Sequence, residues 1–275
     1  MSKVTIATAP CSWGVWYADG TPSGTPWNVF LDQAAAAGYK ALELGPDGYL
    51  PTDEDVLREE LTRRGLDVCS GTCCYQFDRY ASFDDFRAPV DALCKRLTAF
   101  GAKYLVAMDE SDVGLYSEKK ADFQAEVWNN FLEKIRLMGE FTKNEYGVEV
   151  VYHPHIKTMI ETEAEIERLI DYTGLRLCFD TGHHAYVNGN GERGETSTID
   201  FMKKYADKMA YLHFKNVDFD VFRTVREQNL DSDTAFDRDV MCDLRDGIID
   251  FNALRDTIEE IGFEGIGVIE QDMPR

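Results

Sequence analysis

The sequence predicts a single (β/α)8 TIM barrel, and three observations predict it. Strand-like apolar runs alternate with helical periodicity along the 275 residues until eight strands are counted. No Gly/Ser/Pro-rich linker divides the chain, and no phosphate-binding glycine motif (GxGxxG or GxxxxGKS/T) follows any strand, which puts a doubly wound sheet second. A barrel of roughly 250 residues is one domain, so residues 1–275 read as one catalytic domain.

The elements follow from periodicity and punctuation. Residues 3–9 are a β-branched run read as strand one, and 28–37 have helical spacing ending at Gly38. Residues 41–44 are a short strand closed by Gly45. Thr52 then opens a helix as the first residue of TDED, with Val56, Leu57 and Leu61 on one face and Gly65 ending it. Strand three (66–69), a helix (84–100), strand four (104–108), a long amphipathic helix (122–142) and strand five (148–152) complete the first half. The second half reads as helix 163–172, strand 175–179, helix 199–205, strand 209–214, a longer irregular segment, helix 252–261 and strand 266–269. The sequence given stops at Arg275, so the eighth outer helix is expected to be missing or replaced. Cover for the flank of strand eight is then expected from residues 217–246 or from a second subunit.

With 44% apolar and 12% aromatic residues there is material for one large core. No stretch approaches the roughly 20 apolar residues of a membrane helix, and the N-terminus turns polar too early for a signal peptide. The expectation is a cytoplasmic protein with no membrane partner. Seven scattered cysteines with no CxxC pair suit a reducing compartment, Cys69 and Cys178 reading as small buried hydrophobes. A formal net charge of −21 repels polyphosphates and argues against a nucleic acid partner. The acidic segment 53–60 reads as a solvated helix face.

One stretch concentrates the chemistry. LCFDTGHHAY (177–186) is an apolar strand ending on Asp180, a carboxylate with no local cation, followed by a Gly turn and the imidazoles of His183 and His184. An N-cap at Asp180 or Thr181 would explain the same residues without any chemistry. The five histidines weigh against that, because His153, His155, His183, His184 and His213 each stand at the end of an apolar run. In such barrels chemistry sits at the C-terminal strand ends. There the sequence puts His153 and His155, Asp180, His213 with Lys215, and Glu270 with Gln271 and Asp272. Mixed Asp, His and Glu ligation suits one divalent metal ion such as Mn²⁺, Co²⁺ or Zn²⁺ more than Ca²⁺, with Mg²⁺ also admitted. Lys215, two positions beyond His213 on the same strand face, is expected to repel an imidazolium and so favour a neutral, metal-bound His213. A satisfied core histidine is the alternative.

These residues resemble the xylose isomerase-like TIM barrel superfamily of sugar isomerases and epimerases, and within it the branch containing inosose (2-keto-myo-inositol) dehydratase. The resemblance covers nearly the whole chain. It rests on GPDGYLPTD (45–53), YHPHIKT with ET (152–162), FDTGHHAY, HFKN (213–216), DGIIDF (246–251) and EQDMP from Glu270, in that order. It implies a metal site of two Glu, one Asp and one His, carried over onto Asp180, His213 and Glu270. For the fourth ligand Glu161 is favoured and His153 competes, since most of the superfamily has Glu at the end of strand five where this chain has Tyr152 and His153. It further implies an isomerase or lyase of carbohydrate metabolism, including inositol catabolism, with a small keto-sugar or inosose as substrate. A homo-oligomer is compatible with it.

A divalent ion chelating a ketone oxygen and a neighbouring hydroxyl stabilises the enediolate formed when the α-proton leaves, and Glu161 or Glu270 beside it is a candidate to take that proton. The fate of the enediolate then decides between isomerisation, epimerisation and dehydration. Lys215 is a candidate to polarise the carbonyl or protonate a leaving hydroxyl, and His183 to bind a hydroxyl or orient a ligand. Trp13 and Trp16 could stack on a sugar ring, with core packing equally open for each, and His153, His155 and Gln271 are further candidates for binding substrate. Two other classes share the pattern. One is a non-catalytic metal- or sugar-binding barrel; the other, against the charge, is an endonuclease of the apurinic-site type.

Overall fold

A computed structural model describes residues 3–113 and 125–272. Strands β1 (Val4–Thr8), β2 (Ala41–Glu43), β3 (Asp67–Tyr75), β4 (Tyr104–Asp109), β5 (Glu149–Tyr152), β6 (Arg176–Asp180) and β7 (Met209–Phe214) are followed by a short pair, β8 (Asn216–Val217) and β9 (Met241–Cys242), and by β10 (Gly265–Ile269). All but β8 and β9 are parallel members of one closed barrel, sealed where β10 pairs with both β7 and β1. The helices are α1 (Trp27–Ala36), α2 (Glu54–Arg64), α3 (Arg87–Ala99), α4 (Ala125–Tyr146), α5 (Glu163–Thr173), α6 (Thr181–Asn188), α7 (Ser197–Lys204), α8 (Phe219–Gln228), α9 (Ser232–Asp237) and α10 (Phe251–Glu260). This is the eight-stranded barrel the sequence predicts.

Small side chains such as Ala7, Ala41, Cys69, Val151, Cys178 and Val268 fill the barrel around Tyr211, whose ring meets Tyr104 edge-on with centroids 5.5 Å apart. A larger apolar layer separates strands from helices and includes Phe30, Leu57, Leu97, Leu132 and Leu169, each fully buried. Burial of this kind contributes about 1.5–3 kcal/mol per large side chain. All seven cysteines are free thiols, and among the described residues no helix is long and apolar enough to cross a membrane.

Several boundaries differ from the sequence reading. β3 runs on to Tyr75 because Ser70 to Tyr75 pair in register with Tyr104 to Asp109, a tertiary gain that overrides the polar SGT. Asp53, not Thr52, caps α2, accepting the amides of Asp55 and Val56 at 3.0 Å each, and Val56 faces solvent. The helix start expected at residue 122 lies outside the described residues. The segment expected to be irregular after β7 is ordered as β8, α8, α9 and β9. It packs on α6, Tyr186 against Phe222 with ring centroids 5.1 Å apart, instead of covering β10.

The flank of β10 is closed by other means. Ile266 and Val268 point into the barrel, so Gly265 and Gly267 face outward. The Phe214 ring lies over Gly267 so closely that a Cβ there would stand 2.4 Å from it. With glycine outside and a neighbouring strand's ring upon it, little apolar side chain is left for a helix to cover. Of the described residues it is this glycine seam, and not the segment 217–246, that lies along the flank of β10.

Candidate functional site

Asp180 ends β6 and caps α6, its Oδ1 accepting the His183 amide at 2.9 Å. Its Oδ2 faces the Lys215 ammonium at 2.6 Å. The carboxylate that lacks a local cation in the sequence receives one from β7, and the capping and charged roles coexist in one side chain. Gly182 is helical here, not part of a turn; a Cβ would stand 2.5 Å from Lys215 Cβ, so only glycine lets α6 start against the end of β7. Thr181 fixes the same junction, its hydroxyl donating to Lys215 O at 2.7 Å and accepting the Lys215 amide at 3.0 Å.

Lys215 is buried, and its Nζ also lies 2.6 Å from Glu270 Oε2 and 3.6 Å from Asp272 Oδ1. Burial works against its charge, yet Asp180, Asp272 and Glu270 together hold its pKa well above the usual lysine value. Glu270 shows the converse. Burial disfavours the carboxylate, but His213 and Lys215 keep it well below the ordinary range. Asp272, with burial the larger influence and Lys215 opposing, is pushed up to about 6.

His213 is oriented from behind by Glu43, the last residue of β2. Glu43 Oε1 accepts the hydroxyls of Ser70 and Tyr211 at 2.9 Å each and lies 3.1 Å from His213 Nε2. With Nε2–H on Glu43, the neutral ring carries its lone pair on Nδ1. That nitrogen faces Glu270 Oε2 at 3.0 Å and Asp180 Oδ2 at 3.9 Å. Burial opposes a proton on His213, but Cys178, Glu270 and Glu43 raise its pKa well above 6.5. Burial also pushes the Cys178 thiol up to about 12, so that thiol is uncharged at neutral pH and the glutamates carry the effect. Lys215 therefore does not force His213 neutral, as the sequence suggested, because Asp180 and Glu270 absorb its charge. An ion binding at Nδ1 has to displace a proton. The donor set still fits one: a buried imidazole nitrogen facing two carboxylates suits Mn²⁺, Co²⁺ or Zn²⁺.

A second group of imidazoles lies beside this one. His153, His155 and His183 offer ring nitrogens all within 4.8 Å of one another. Burial is the main influence lowering all three, His155 to about 4, so these rings are neutral at physiological pH. Both nitrogens of His183 and Nδ1 of His153 are buried without a hydrogen-bond partner, each at a cost of about 1–3 kcal/mol.

With this geometry in view, comparison with known proteins is informative. The description "xylose isomerase-like TIM barrel" matches residues 31–274. The chain belongs to that family. Among its relatives, the rhizopine catabolism protein MocC of Rhizobium meliloti is 28% identical, over 99% of this chain and 82% of its own. An inosose dehydratase of Geobacillus thermodenitrificans is 26% identical, over 98% of this chain and 90% of its own. Among solved structures, the probable 3-DHS dehydratase AsbF of Bacillus anthracis superposes with a TM-score of 0.73 at 16% identity, covering 98% of this chain and 92% of that one. The IolI protein with a bound zinc atom gives 0.71 at 15%, covering 98% and 90%. At these identities the two structures show the shared fold.

In this member of the xylose isomerase-like family the remaining expected residues are distributed unevenly. Glu161 is buried and its Oε2 accepts the Lys157 amide at 2.9 Å. It lines a narrow gap with His155, Asp180 and His183, but among the described residues it enters none of the clusters of three donors within 4.8 Å. His153 does, with His213 and Cys178, its ring centroid 4.8 Å from that of His213. Trp13 packs edge-on against Phe30 with centroids 4.9 Å apart and donates to Gln33 Oε1 at 2.6 Å, a core role. Trp16 lines the mouth of the barrel, and the Gln271 amide donates to Ser12 Oγ at 3.2 Å. His184 turns away from the site to pack on Phe179 and Phe201, ring centroids 5.0 Å from each.

Sequence reasoning assigned no role to Glu43, Asp109 or Asp272. The signal for Glu43 was present, a lone acid closing the apolar strand ALE. Asp109 accepts the amides of Phe77 at 3.3 Å and Met159 at 3.1 Å, fastening the loop after β5 to the end of β4. The mouth itself is a cavity of 620 Å³ lined by Trp16, His155, Phe236 and the carboxylates of Asp109, Glu110, Asp112, Asp233, Asp237 and Asp272. Lys157 stands among them, 3.1 Å from Asp112 and 2.9 Å from Asp233.

Proposed function

We propose that this chain is a divalent-metal-dependent enzyme that removes the proton α to the ketone of a keto-sugar or keto-polyol, of the isomerase, epimerase or inosose dehydratase type. The observation that carries the reading is the convergence of His213 Nδ1, Glu270 and Asp180, with Nδ1 3.0 Å from Glu270 Oε2 and 3.9 Å from Asp180 Oδ2 while Glu43 occupies Nε2. A divalent ion held by Asp180, His213 and Glu270 would supply Lewis-acid polarisation of the substrate ketone. The 26–28% identical relatives named for inosose and rhizopine chemistry support a small polyol substrate.

The chain's own groups do the proton work. In this reading a carboxylate takes the α-proton, with Glu161 the first candidate because it shares a gap with Asp180 and His183, and Glu270 the second. Lys215 is ionised by its carboxylate neighbours and can donate a hydrogen bond to the ketone oxygen or a proton to a departing hydroxyl. Trp16 and Phe236 offer apolar faces to the ring carbons.

The test is solvent deuterium exchange into inososes and ketoses, with products identified by NMR, before and after chelation of divalent ions. Chelator-sensitive exchange at the α-carbon is expected. Metal retained with no exchange in any keto-polyol would favour a non-catalytic sugar-binding barrel. Glu161→Gln is expected to abolish exchange and weaken metal binding, while His153→Gln slows exchange and keeps the metal; the opposite pattern transfers the fourth ligand to His153.

A further inference from the structure

We infer that the cavity between α6 and α8 is a second ligand pocket, which takes an uncharged, largely apolar substituent on a keto-polyol whose ring occupies the mouth, with Lys157 as the bar between the two spaces. The inference rests on the keto-polyol reading above. The cavity measures 320 Å³, within the size range of pockets that hold small ligands. Its apolar wall is Ile156 from the loop after β5, Tyr186 and Val187 from α6, Phe222 and Val225 from α8, and Leu230 from the turn beyond. The Tyr186 and Phe222 rings meet at 40° with centroids 5.1 Å apart, and the Arg226 guanidinium lies 5.1 Å from the Phe222 centroid.

Charges in the lining nearly cancel, with Glu161, Asp112 and Asp231 against Lys157 and Arg226. Most of them are already engaged. Glu161 Oε2 accepts the Lys157 amide, and Asp231 Oδ1 caps α9 by accepting the Thr234 amide at 2.8 Å. A charged ligand gains little there, whereas an aromatic or alkyl group buries its surface against the apolar wall. The cavity and the mouth share Asp112, Ile156 and Lys157, so they lie back to back across those residues. Glu161 lines this cavity and also the narrow gap that reaches Asp180 and His183, which keeps the pocket one side chain away from the strand-end groups. Lys157 has a φ of 68°, a left-handed backbone that is costly for any residue but glycine. A lysine where glycine would be unstrained points to a role for its side chain. Its ammonium reaches Asp112 at 3.1 Å and Asp233 at 2.9 Å, partners 71% and 74% exposed. Pairs so exposed hold weakly, so the bar opens readily to a ligand that spans both spaces.

The experiment measures binding, not turnover, by titration calorimetry with myo-inositol and its mono-O-benzyl ethers, none of which carries a ketone. At least one ether is expected to bind about 10–100-fold more tightly than the parent polyol, the gain from burying one aromatic ring. Ser232→Trp, which fills the cavity from its rim, is expected to remove that gain, and Lys157→Ala to enlarge it. Ethers that bind no more tightly than the parent, or a gain that survives Ser232→Trp, overturn the pocket. An unchanged ether affinity in Lys157→Ala overturns the role of the bar. Where Ser232→Trp fails to fold, an azidobenzyl ether photolysed on the wild type decides: adducts on Tyr186, Phe222 or Leu230 uphold the pocket, and adducts confined to Trp16 and Phe236 in the mouth overturn it. The proposed function is read separately, by solvent deuterium exchange into the unsubstituted inosose, which persists if the pocket alone is wrong.

Discussion

Glu43 touches nothing outside the protein, yet it decides which nitrogen of His213 faces the barrel mouth. Glu43→Gln is expected to lower metal affinity about 10–100-fold with the other donors unchanged. A titration giving the wild-type Kd would show that Tyr211 and Ser70 are enough to hold the ring. Gly182 is a second single-residue test. Gly182→Ala drives a methyl into Lys215, and overpacking of this kind costs about 1–3 kcal/mol, read as a lower denaturant midpoint. At this scale the sequence revealed the strand-end residues Asp180, His213, Lys215 and Glu270, because charge after an apolar run is visible in one dimension. It could not reveal that Asp180 meets Lys215, a pairing made across two strands. Nor could it separate His183, aimed at the site, from its neighbour His184, which the helical turn directs into the core.

Among the elements, the loop after β5 holds two histidines whose protonation burial disfavours. His155 has its pKa lowered from 6.5 to about 4 in the folded metal-free protein. The unfolded chain thus binds a proton that the folded one refuses between those values. The associated stability is present above pH 6.5 and lost as pH falls through that window, by on the order of 1–2 kcal/mol between pH 7 and pH 5 after allowing for partial exposure of the ring. Denaturant midpoints of metal-free wild type and His155→Gln at the two pH values measure this; parallel losses would assign the acid sensitivity to other groups. Most elements were readable because their periods and caps are local, as with Thr162 and Glu165 starting α5. β3 beyond Cys69 and the ordered stretch from β8 to β9 were not, because pairing with distant partners holds them in place.

For the whole molecule, a divalent ion that binds the folded chain alone adds stability by mass action, about 2.7 kcal/mol at a free concentration 100 times its Kd. Thermal unfolding should therefore move upward with added Mn²⁺, Co²⁺ or Zn²⁺ and return after chelation. An unmoved transition in all three would leave the proposed centre without a ligand. The barrel itself was legible from eight apolar runs. The packing on the outer flank of β10 was not, because the decisive residues there are glycines, which carry no hydropathic signal.

The acidic lining of the 620 Å³ mouth has a kinetic consequence. Six carboxylates against one lysine, on a chain of net charge −21, give the entrance a negative potential felt over about one Debye length. An uncharged polyol diffuses in without meeting it, whereas a sugar phosphate or a keto acid must climb it. Encounter rates with neutral ketoses should hence be flat in ionic strength and those with anionic analogues should rise as salt screens the field. The entrance would then sort substrates by charge before any side chain at the strand ends has touched them.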